Sequence, residues 1–180
     1  MNFQFFDSLN AAEATEFLNT FLDTERKAVE EIISAARSEG VYADLSVASV
    51  PEVLKCVVGK LTTVPRLPDE TVPSWIRETD SYSRGLFDFD ETSTVVILRA
   101  AYYLGQSLVN HSERLSWSVG NIETAEKNMP VITGFTFELE LAPIMVVENL
   151  FRRIIADGAA YDAIDQAMNY WLDKVHERIQ

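Results

Sequence analysis

Apolar residues recur at helical spacing through most of the chain. Residues 8–39 predict an amphipathic helix, because their apolar positions share one broad face. These positions are Leu18, Leu22, Val29, Ile32, Ile33 and Ala36. Ser8 or Asn10 could cap the start of this helix, and Gly40 could end it. Asp23 and Thr24 could restart a helix in the middle, so one long helix and two shorter ones both fit the pattern.

The stretch SVPEVLKCVVGKL predicts a second helix, with Ser49 as its N-cap. Pro51 suits the first turn, where its missing N–H group costs no hydrogen bond. Cys56 lies among apolar residues of this helix, and free cysteine is one of the most often buried residue types. We therefore expect a buried core thiol at this position. Because Cys56 is the only cysteine of the chain, no internal disulfide can form.

Three more segments have helical spacing. Residues 90–111 begin with Asp90 or Thr92 as a cap, and Gly105 would allow a neighbouring element to approach closely. The apolar stripe of this segment is Val95, Leu98, Tyr102, Gly105 and Val109. Residues 143–158 predict a helix that starts at a proline, stops at Gly158 and buries Ile144, Val147, Leu150, Phe151 and Ile154. The last helix has the clearest periodicity, at Tyr161, Ile164, Met168, Trp171, Leu172, Val175 and Ile179.

Residues 114–141 show a period of two instead. Apolar side chains alternate with polar ones on both sides of a polar centre, which predicts two strands with one apolar face each. The apolar positions are Leu115, Trp117 and Val119 in the first strand, and Phe135, Phe137, Leu139 and Leu141 in the second. Trp117 is predicted to anchor the core. The centre, residues 120–130, predicts an exposed loop, and binding residues often lie on such loops between rigid elements.

Regular periodicity fails between Val64 and Asp90. Prolines interrupt this segment, and a short helix could follow Ser74. Carboxylates are frequent, whereas the aromatic residues Trp75, Tyr82, Phe87 and Phe89 argue against disorder. A connection of this length is either functional or mobile. The segment is therefore a candidate binding surface, as is the loop 120–130.

These patterns predict an α+β protein, mainly α, with about five to six helices packed with a small two-stranded antiparallel sheet. A length of 180 residues fits a single domain spanning residues 1–180. The net charge of −13 at pH 7 disfavours nucleic acid and anionic membranes as partners, and it favours a basic protein. No apolar run approaches the roughly 20 residues of a membrane span, and the N-terminal stretch lacks a basic signal region. We therefore expect a cytoplasmic protein.

The sequence contains no catalytic motif. His111 and His176 lie near helix ends without a nucleophile signature or metal-binding spacing, so we expect structural or surface roles for them. The run DFDET (88–92) lacks the glycine and the closing glutamate of a calcium loop. Glu138 and Glu140 would lie about 7 Å apart on one strand face, near a glycosidase spacing, but solvent-facing positions explain them more simply. We expect no enzymatic activity, metal or cofactor.

Four segments, AYYLGQSL, LSWSVGN, NMPVITGF and LAPIMVVENLFRRI, together resemble small bacterial domains. Some domains of this kind serve as immunity proteins encoded beside toxin genes. The resemblance concerns residues 100–155 and assigns no functional residues. It implies that this chain inhibits a protein partner.

The favoured hypothesis is an acidic, immunity-type inhibitor that neutralises a basic partner such as a toxin. The predicted partner-binding residues are Asp69, Glu70, Trp75, Glu78, Asp80, Tyr82, Asp88, Asp90 and Glu91. The alternative is a small-ligand-binding protein or enzyme with a pocket between the sheet and the helices. That pocket would be lined by Arg99, Tyr102, Tyr103, Trp117, Asn121 and Asn128. A self-associating protein, for example a homodimer, is a third hypothesis.

Overall fold

Helices dominate the described part of the chain, with two small antiparallel sheets beside them. The computed structural model describes residues 4–158 and 160–176. The elements are α1 (Gln4–Asp7), α2 (Ala11–Ser38), α3 (Val50–Val58), β1 (Thr63–Pro65), α4 (Ser74–Arg77), α5 (Asp80–Arg84), β2 (Phe87–Phe89), α6 (Glu91–His111), β3 (Ser116–Val119), β4 (Pro130–Thr133), a 3₁₀ turn (Thr136–Glu138), α7 (Pro143–Asp157) and α8 (Asp162–His176). The predicted α+β, mainly α class is confirmed.

Helix α2 is one continuous helix, which decides between the two alternatives left open by the sequence. It begins at a capping box: the Asn10 side chain accepts hydrogen bonds from the backbone N–H groups of Ala12 and Glu13. The Glu13 carboxylate accepts one from the Asn10 N–H at 2.8 Å. Asn10 is therefore the cap, whereas the Ser8 hydroxyl donates to the carbonyl of Phe5. Gly40 follows the end of the helix with a φ of +77°.

Helix α6 runs through the centre of the molecule. The Asp90 side chain caps it by accepting a hydrogen bond from the Ser93 N–H at 2.7 Å. All residues from 100 to 105 are buried, because α2, α3 and α7 all pack against this helix. The buried surface of α6 is therefore wider than the predicted apolar stripe. Tyr102 and Gly105 of the stripe are buried, and so are Ala101 and Leu104 on other faces of the helix. Val95, expected in the stripe, is exposed.

The sheet predicted from residues 114–141 exists, but its second strand is not where the alternation placed it. Strand β3 pairs with β4, residues 130–133, in a register that joins Trp117 to Ile132. Residues 135–141 contain the 3₁₀ turn, in which Phe137 and Glu138 have positive φ values. Only Leu141 returns to the sheet, through two backbone hydrogen bonds with Ile132.

The apolar alternation of residues 135–141 is misleading for a local reason. Thr136 is buried and its hydroxyl donates to the carbonyl of Lys174 at 3.0 Å. Phe137, by contrast, is 69% exposed. Thr136 thus occupies a buried position, whereas Phe137, which the alternating pattern placed inside, is exposed. Burial of the Thr136 hydroxyl is possible because it has a hydrogen-bond partner. Glu138 and Glu140 consequently do not share a strand face.

The last two long helices agree with the sequence pattern over the described residues. Helix α7 starts at Pro143 and ends at Gly158, whose φ is +60°. Ile144, Val147, Phe151 and Ile154 are buried, whereas Leu150 is half-buried. In α8, Ile164, Met168 and Val175 are buried, and Tyr161 before the helix is exposed. Ile179 and the side chain of His176 lie outside the described residues.

The second helix also forms as predicted, with one correction. Ser49 precedes α3, but its hydroxyl makes no capping bond and instead contacts Ser46 and Tyr103. Cys56 is half-buried and not in the core, so the predicted core thiol is wrong. The side chain faces a cavity between helices, which the helical spacing could not reveal.

Candidate functional site

The segment between the first two strands, residues 66–86, is here called the acidic arm after its four exposed carboxylates, Asp69, Glu70, Glu78 and Asp80. Its base is the short sheet of β1 and β2, in which Val64 pairs with Asp88. Sequence periodicity did not predict this sheet. Above it, the Arg66 N–H donates to the carbonyl of Leu86 at 3.0 Å. The Asp69 N–H donates to the Tyr82 hydroxyl at 2.9 Å, which closes the arm across its two sides.

Arg152 of helix α7 fixes the base of the acidic arm from below. Its guanidinium lies over the rings of Phe87 and Phe89, at 5.4 and 5.1 Å from their centroids. It also donates to the carbonyl of Phe87 at 2.8 Å and pairs with Asp88 at 3.3 Å. Glu148, which is buried, accepts from the same guanidinium at 2.9 Å. The arm therefore rises from an ordered platform.

Large apolar side chains are displayed on the acidic arm. Trp75, at the start of α4, is 72% exposed, and Leu67 is 87% exposed. Every residue from 62 to 75 except Val72 is exposed. Leu67 has the highest exposed fraction among the large apolar side chains of the described residues, and Trp75 is as exposed as Tyr42 outside the arm. Two such side chains on one segment make it a candidate contact surface.

The predicted partner-binding residues fall into two groups. Asp69, Glu70, Trp75, Glu78, Asp80 and Glu91 are exposed. The other three make internal contacts: Tyr82 closes the arm, Asp88 pairs with Arg66 and Arg152, and Asp90 caps α6. The three internal residues shape the surface, and the six exposed residues are available to a partner.

Two carboxylates at this surface have lowered pKa values for local reasons. The Thr71 hydroxyl and N–H donate to Asp69 and lower its pKa. The Thr62 hydroxyl and the Ser93 N–H lower the pKa of Asp90 in the same way. Both side chains therefore carry a full negative charge at neutral pH.

The residues of the alternative pocket do not converge. Trp117 is half-buried: its ring packs edge-on against Phe21, and its N–H donates to the Glu25 carboxylate at 3.2 Å. Tyr102 stacks on the other side of Phe21 and donates to the Phe21 carbonyl. A Cβ on Gly105 would come within 2.2 Å of the Trp117 ring, so this space is filled by the indole. Burial raises the pKa of Glu25, and the hydrogen bond from Trp117 partly offsets that effect.

The remaining residues of that predicted pocket lie in three other places. Tyr103 is fully buried, and its hydroxyl contacts Ser49 at 2.6 Å and accepts from the Leu45 N–H at 3.1 Å. Arg99 pairs with Glu31 of α2 at the edge of a separate cavity. Asn121 and Asn128 lie in the loop that follows β3, and they are distant in sequence from Tyr103 and Arg99.

The loop 120–129 is fixed more firmly than the sequence indicated. Glu140 accepts a hydrogen bond from the Asn121 N–H at 2.9 Å. The buried Asn128 amide donates to the carbonyls of Phe6 and Leu9 at 3.0 and 2.8 Å. Asn128 therefore holds the loop against the N-terminal segment, whereas the Asn121 backbone ties the loop to Glu140.

Sequence reasoning missed Leu67 and the cavity lined by Cys56 and Arg99. Leu67 stands alone between Arg66 and Pro68, and an isolated apolar residue in a proline-interrupted stretch was the available signal. Within the described ranges, no group of three or more His, Cys, Asp or Glu residues is arranged to hold a metal ion. No helix in residues 4–158 and 160–176 has the length and apolar character needed to cross a bilayer.

Comparisons with known proteins found no matching family model, no matching curated protein and no matching solved structure. Any functional assignment therefore rests on the chemistry of the surfaces themselves.

Proposed function

We propose that this chain is a protein-binding domain that captures a basic protein through the acidic arm. The observation that carries the proposal is Trp75, an indole 72% exposed on an ordered segment. Tryptophan is the residue type most enriched among those that dominate binding energy at protein interfaces. Leu67, 87% exposed on the same arm, would extend the apolar contact.

The arm carries four carboxylates and three arginines, and two of these arginines, Arg66 and Arg84, pair with Asp88 and Asp157 outside the arm. The case for a basic partner rests on the four exposed carboxylates and on the charge of the whole chain. Asp69, Glu70, Glu78 and Asp80 are exposed around Trp75 and Leu67. The whole chain carries a net charge of −13, which would accelerate the encounter with a cationic surface. Carboxylates also cover the exposed side of α2, so charge alone does not single out the arm. The arm is distinguished by exposed carboxylates on the same segment as Trp75 and Leu67.

The more specific form of the proposal is an immunity-type inhibitor that neutralises a toxin in the cytoplasm. The resemblance of residues 100–155 to small bacterial domains motivates it. A nuclease toxin would offer the required chemistry, because its cationic surface must hold nucleic acid. An inhibitor covering that surface would block the activity without any catalysis of its own.

The test is calorimetry with the purified product of the adjacent gene, at about 50 and about 300 mM NaCl. Tight binding that weakens at the higher salt concentration is expected. Trp75→Ala should weaken it by about 30-fold or more. The matched control is Tyr42→Ala, because Tyr42 is equally exposed but lies outside the arm. Equal losses in both variants would contradict the assignment to the arm, and no binding would contradict the toxin partner.

A charge-reversal pair tests the electrostatic part. Glu70→Lys/Glu78→Lys changes the arm, and Glu16→Lys/Asp23→Lys makes the same change in net charge on the exposed side of α2. Stopped-flow association should slow more for the arm variant, because steering depends on charge near the contact surface. Equal slowing would show that only the net charge matters.

A further inference from the structure

A cavity of about 340 Å³ lies between helices α2, α3 and α6, and its lining includes Thr62 and Asp90, which flank the strands at the base of the acidic arm. The share of one water molecule in the liquid is about 30 Å³, so this space is much larger than an ordinary packing defect. It falls within the range of small-molecule sites in proteins. The cavity is therefore large enough to hold a small molecule.

Small side chains from three helices create the cavity. Helix α2 contributes Ala35 and Ala36, α3 contributes Cys56, and α6 contributes Thr92 and Ser93. Ile32, Val57, Leu61 and Val96 make most of the exposed wall area apolar. The polar or charged residues Glu31, Lys60, Thr62, Asp90 and Arg99 complete the lining. Because the cavity is open to water, an apolar molecule that enters it removes the apolar part of the wall from water, which is favourable.

The charged groups at the edge already have partners. Arg99 pairs with Glu31, and Lys60 pairs with Glu39 at 2.8 Å. The Asp90 carboxylate accepts from the Ser93 N–H and the Thr62 hydroxyl. A charged ligand would therefore have to break one of these contacts or enter without a counter-charge, and both are unfavourable.

We propose that this cavity is a binding site for a small, uncharged and mainly apolar molecule. The Thr62 and Ser93 hydroxyls lie on one wall, where a single hydroxyl or carbonyl group of the ligand could reach them. The proposal is independent of the acidic arm, since it involves different residues and a different kind of partner.

The test uses three probes with one ring system: 2-naphthol, which is uncharged at pH 7, anionic 2-naphthoate and cationic 2-(aminomethyl)naphthalene. Each is titrated into ¹⁵N-labelled protein, and amide shifts are followed by NMR. Saturable shifts at the cavity walls are expected for 2-naphthol, with a dissociation constant of about 0.1–1 mM. The two charged probes should bind at least about tenfold more weakly. Equal affinity for a charged probe would overturn the uncharged class.

A matched pair of variants locates the site. Both Ser34 and Ala35 are exposed positions of α2, but only Ala35 lines the cavity, so Ala35→Phe obstructs the cavity and Ser34→Phe adds the same side chain outside it. Ala35→Phe should weaken 2-naphthol binding by about tenfold or more, and Ser34→Phe should leave it unchanged. If Ala35→Phe fails to fold, Cys56→Leu fills the cavity from α3. Unchanged binding in a folded, filled variant would overturn the proposal.

Cys56 supplies a second readout, because it is the only cysteine of the chain and lines the cavity. The reaction of N-ethylmaleimide with the thiol is followed by mass spectrometry. At 2-naphthol concentrations about ten times the dissociation constant, labelling should slow by about tenfold. Labelling unaffected by a saturating probe, or 2-naphthol binding that is lost in Trp75→Ala, would place the probe elsewhere and reject the cavity.

Discussion

Helix α6 and the acidic arm are neighbours in the chain, joined through strand β2 and Asp90, but they are held in different ways. Residues 100–105 of α6 are all buried and touch helices on several sides. Between residues 66 and 86, none of the described side chains is buried. The arm is held by its base, by Arg152, by the packing of α5 against α7 with the Arg84–Asp157 pair, and by a few hydrogen bonds such as that from the Asp69 N–H to Tyr82. The helix therefore determines stability, and the arm is free to be shaped for contact.

The largest difference is expected for the same substitution made in both regions. Leu104 is fully buried in α6, whereas Leu67 in the arm is 87% exposed. Leu104→Ala should lower the free energy of unfolding by about 2–5 kcal/mol, because it removes buried methyl groups and leaves a cavity. Leu67→Ala should change it by less than about 0.5 kcal/mol. Urea denaturation followed by circular dichroism measures both, and a large loss for Leu67→Ala would show that the arm contributes to the core.

The contrast also explains which features the sequence could predict. Helices α2, α3, α6, α7 and α8 were predictable, because caps, prolines and glycines mark their ends and burial imposes a period of 3.6. The sheet at the base of the arm was not, because each strand has three residues and pairs across the whole arm. Trp75 was predicted as a surface anchor from its segment, whereas the internal contacts of Asp88 and Asp90 depend on residues distant in the chain.

The cavity and the second strand show a further limit of sequence patterns. A period identifies which side chains face inward, but it does not reveal whether their volumes fill the space they face. Cys56 therefore fitted a core position although it lines a cavity. Residues 135–141 alternate like a strand, yet the left-handed backbone at Phe137 and Glu138 breaks the extended chain.

A second, smaller difference is expected for two tyrosine hydroxyls. The Tyr103 hydroxyl is buried and accepts from the Leu45 N–H, so Tyr103→Phe leaves that group and the Ser49 hydroxyl short of a partner. The expected cost is about 1–3 kcal/mol in the free energy of unfolding. Tyr82→Phe removes the bond to the exposed Asp69 N–H, which water can replace. It should leave global stability nearly unchanged while accelerating amide exchange within the arm.

Hydrogen exchange measured by NMR distinguishes the two tyrosine variants. In Tyr103→Phe, we expect amide exchange to accelerate throughout the helices. In Tyr82→Phe, the acceleration should be confined to residues 66–86. If Tyr82→Phe destabilised the whole molecule as much as Tyr103→Phe, the arm and the central helix would unfold as one unit.

The smallest effect concerns pH and again compares one residue from each region. Hydrogen bonds lower the pKa of Asp90 at the start of α6 and of Asp69 in the arm below the ordinary value of 3.8. Because the folded pKa is lower than the unfolded one, ionised Asp90 stabilises the fold fully at neutral pH. That contribution is lost as the pH falls below about 4, through the folded pKa. Asp90→Asn should therefore lower the Tm at pH 7, and its difference from the wild type should shrink as the pH falls through the folded pKa of Asp90.

Asp69→Asn should leave the Tm unchanged across the same pH range, since the bonds it weakens hold only the turn at Thr71. Its effect should be confined to the amide signal of Thr71, which reports the local hydrogen bond directly. Thermal unfolding curves at several pH values, collected for both variants, provide the comparison. An equal pH-dependent loss of Tm in Asp69→Asn would mean that the acidic arm and helix α6 are coupled and unfold together.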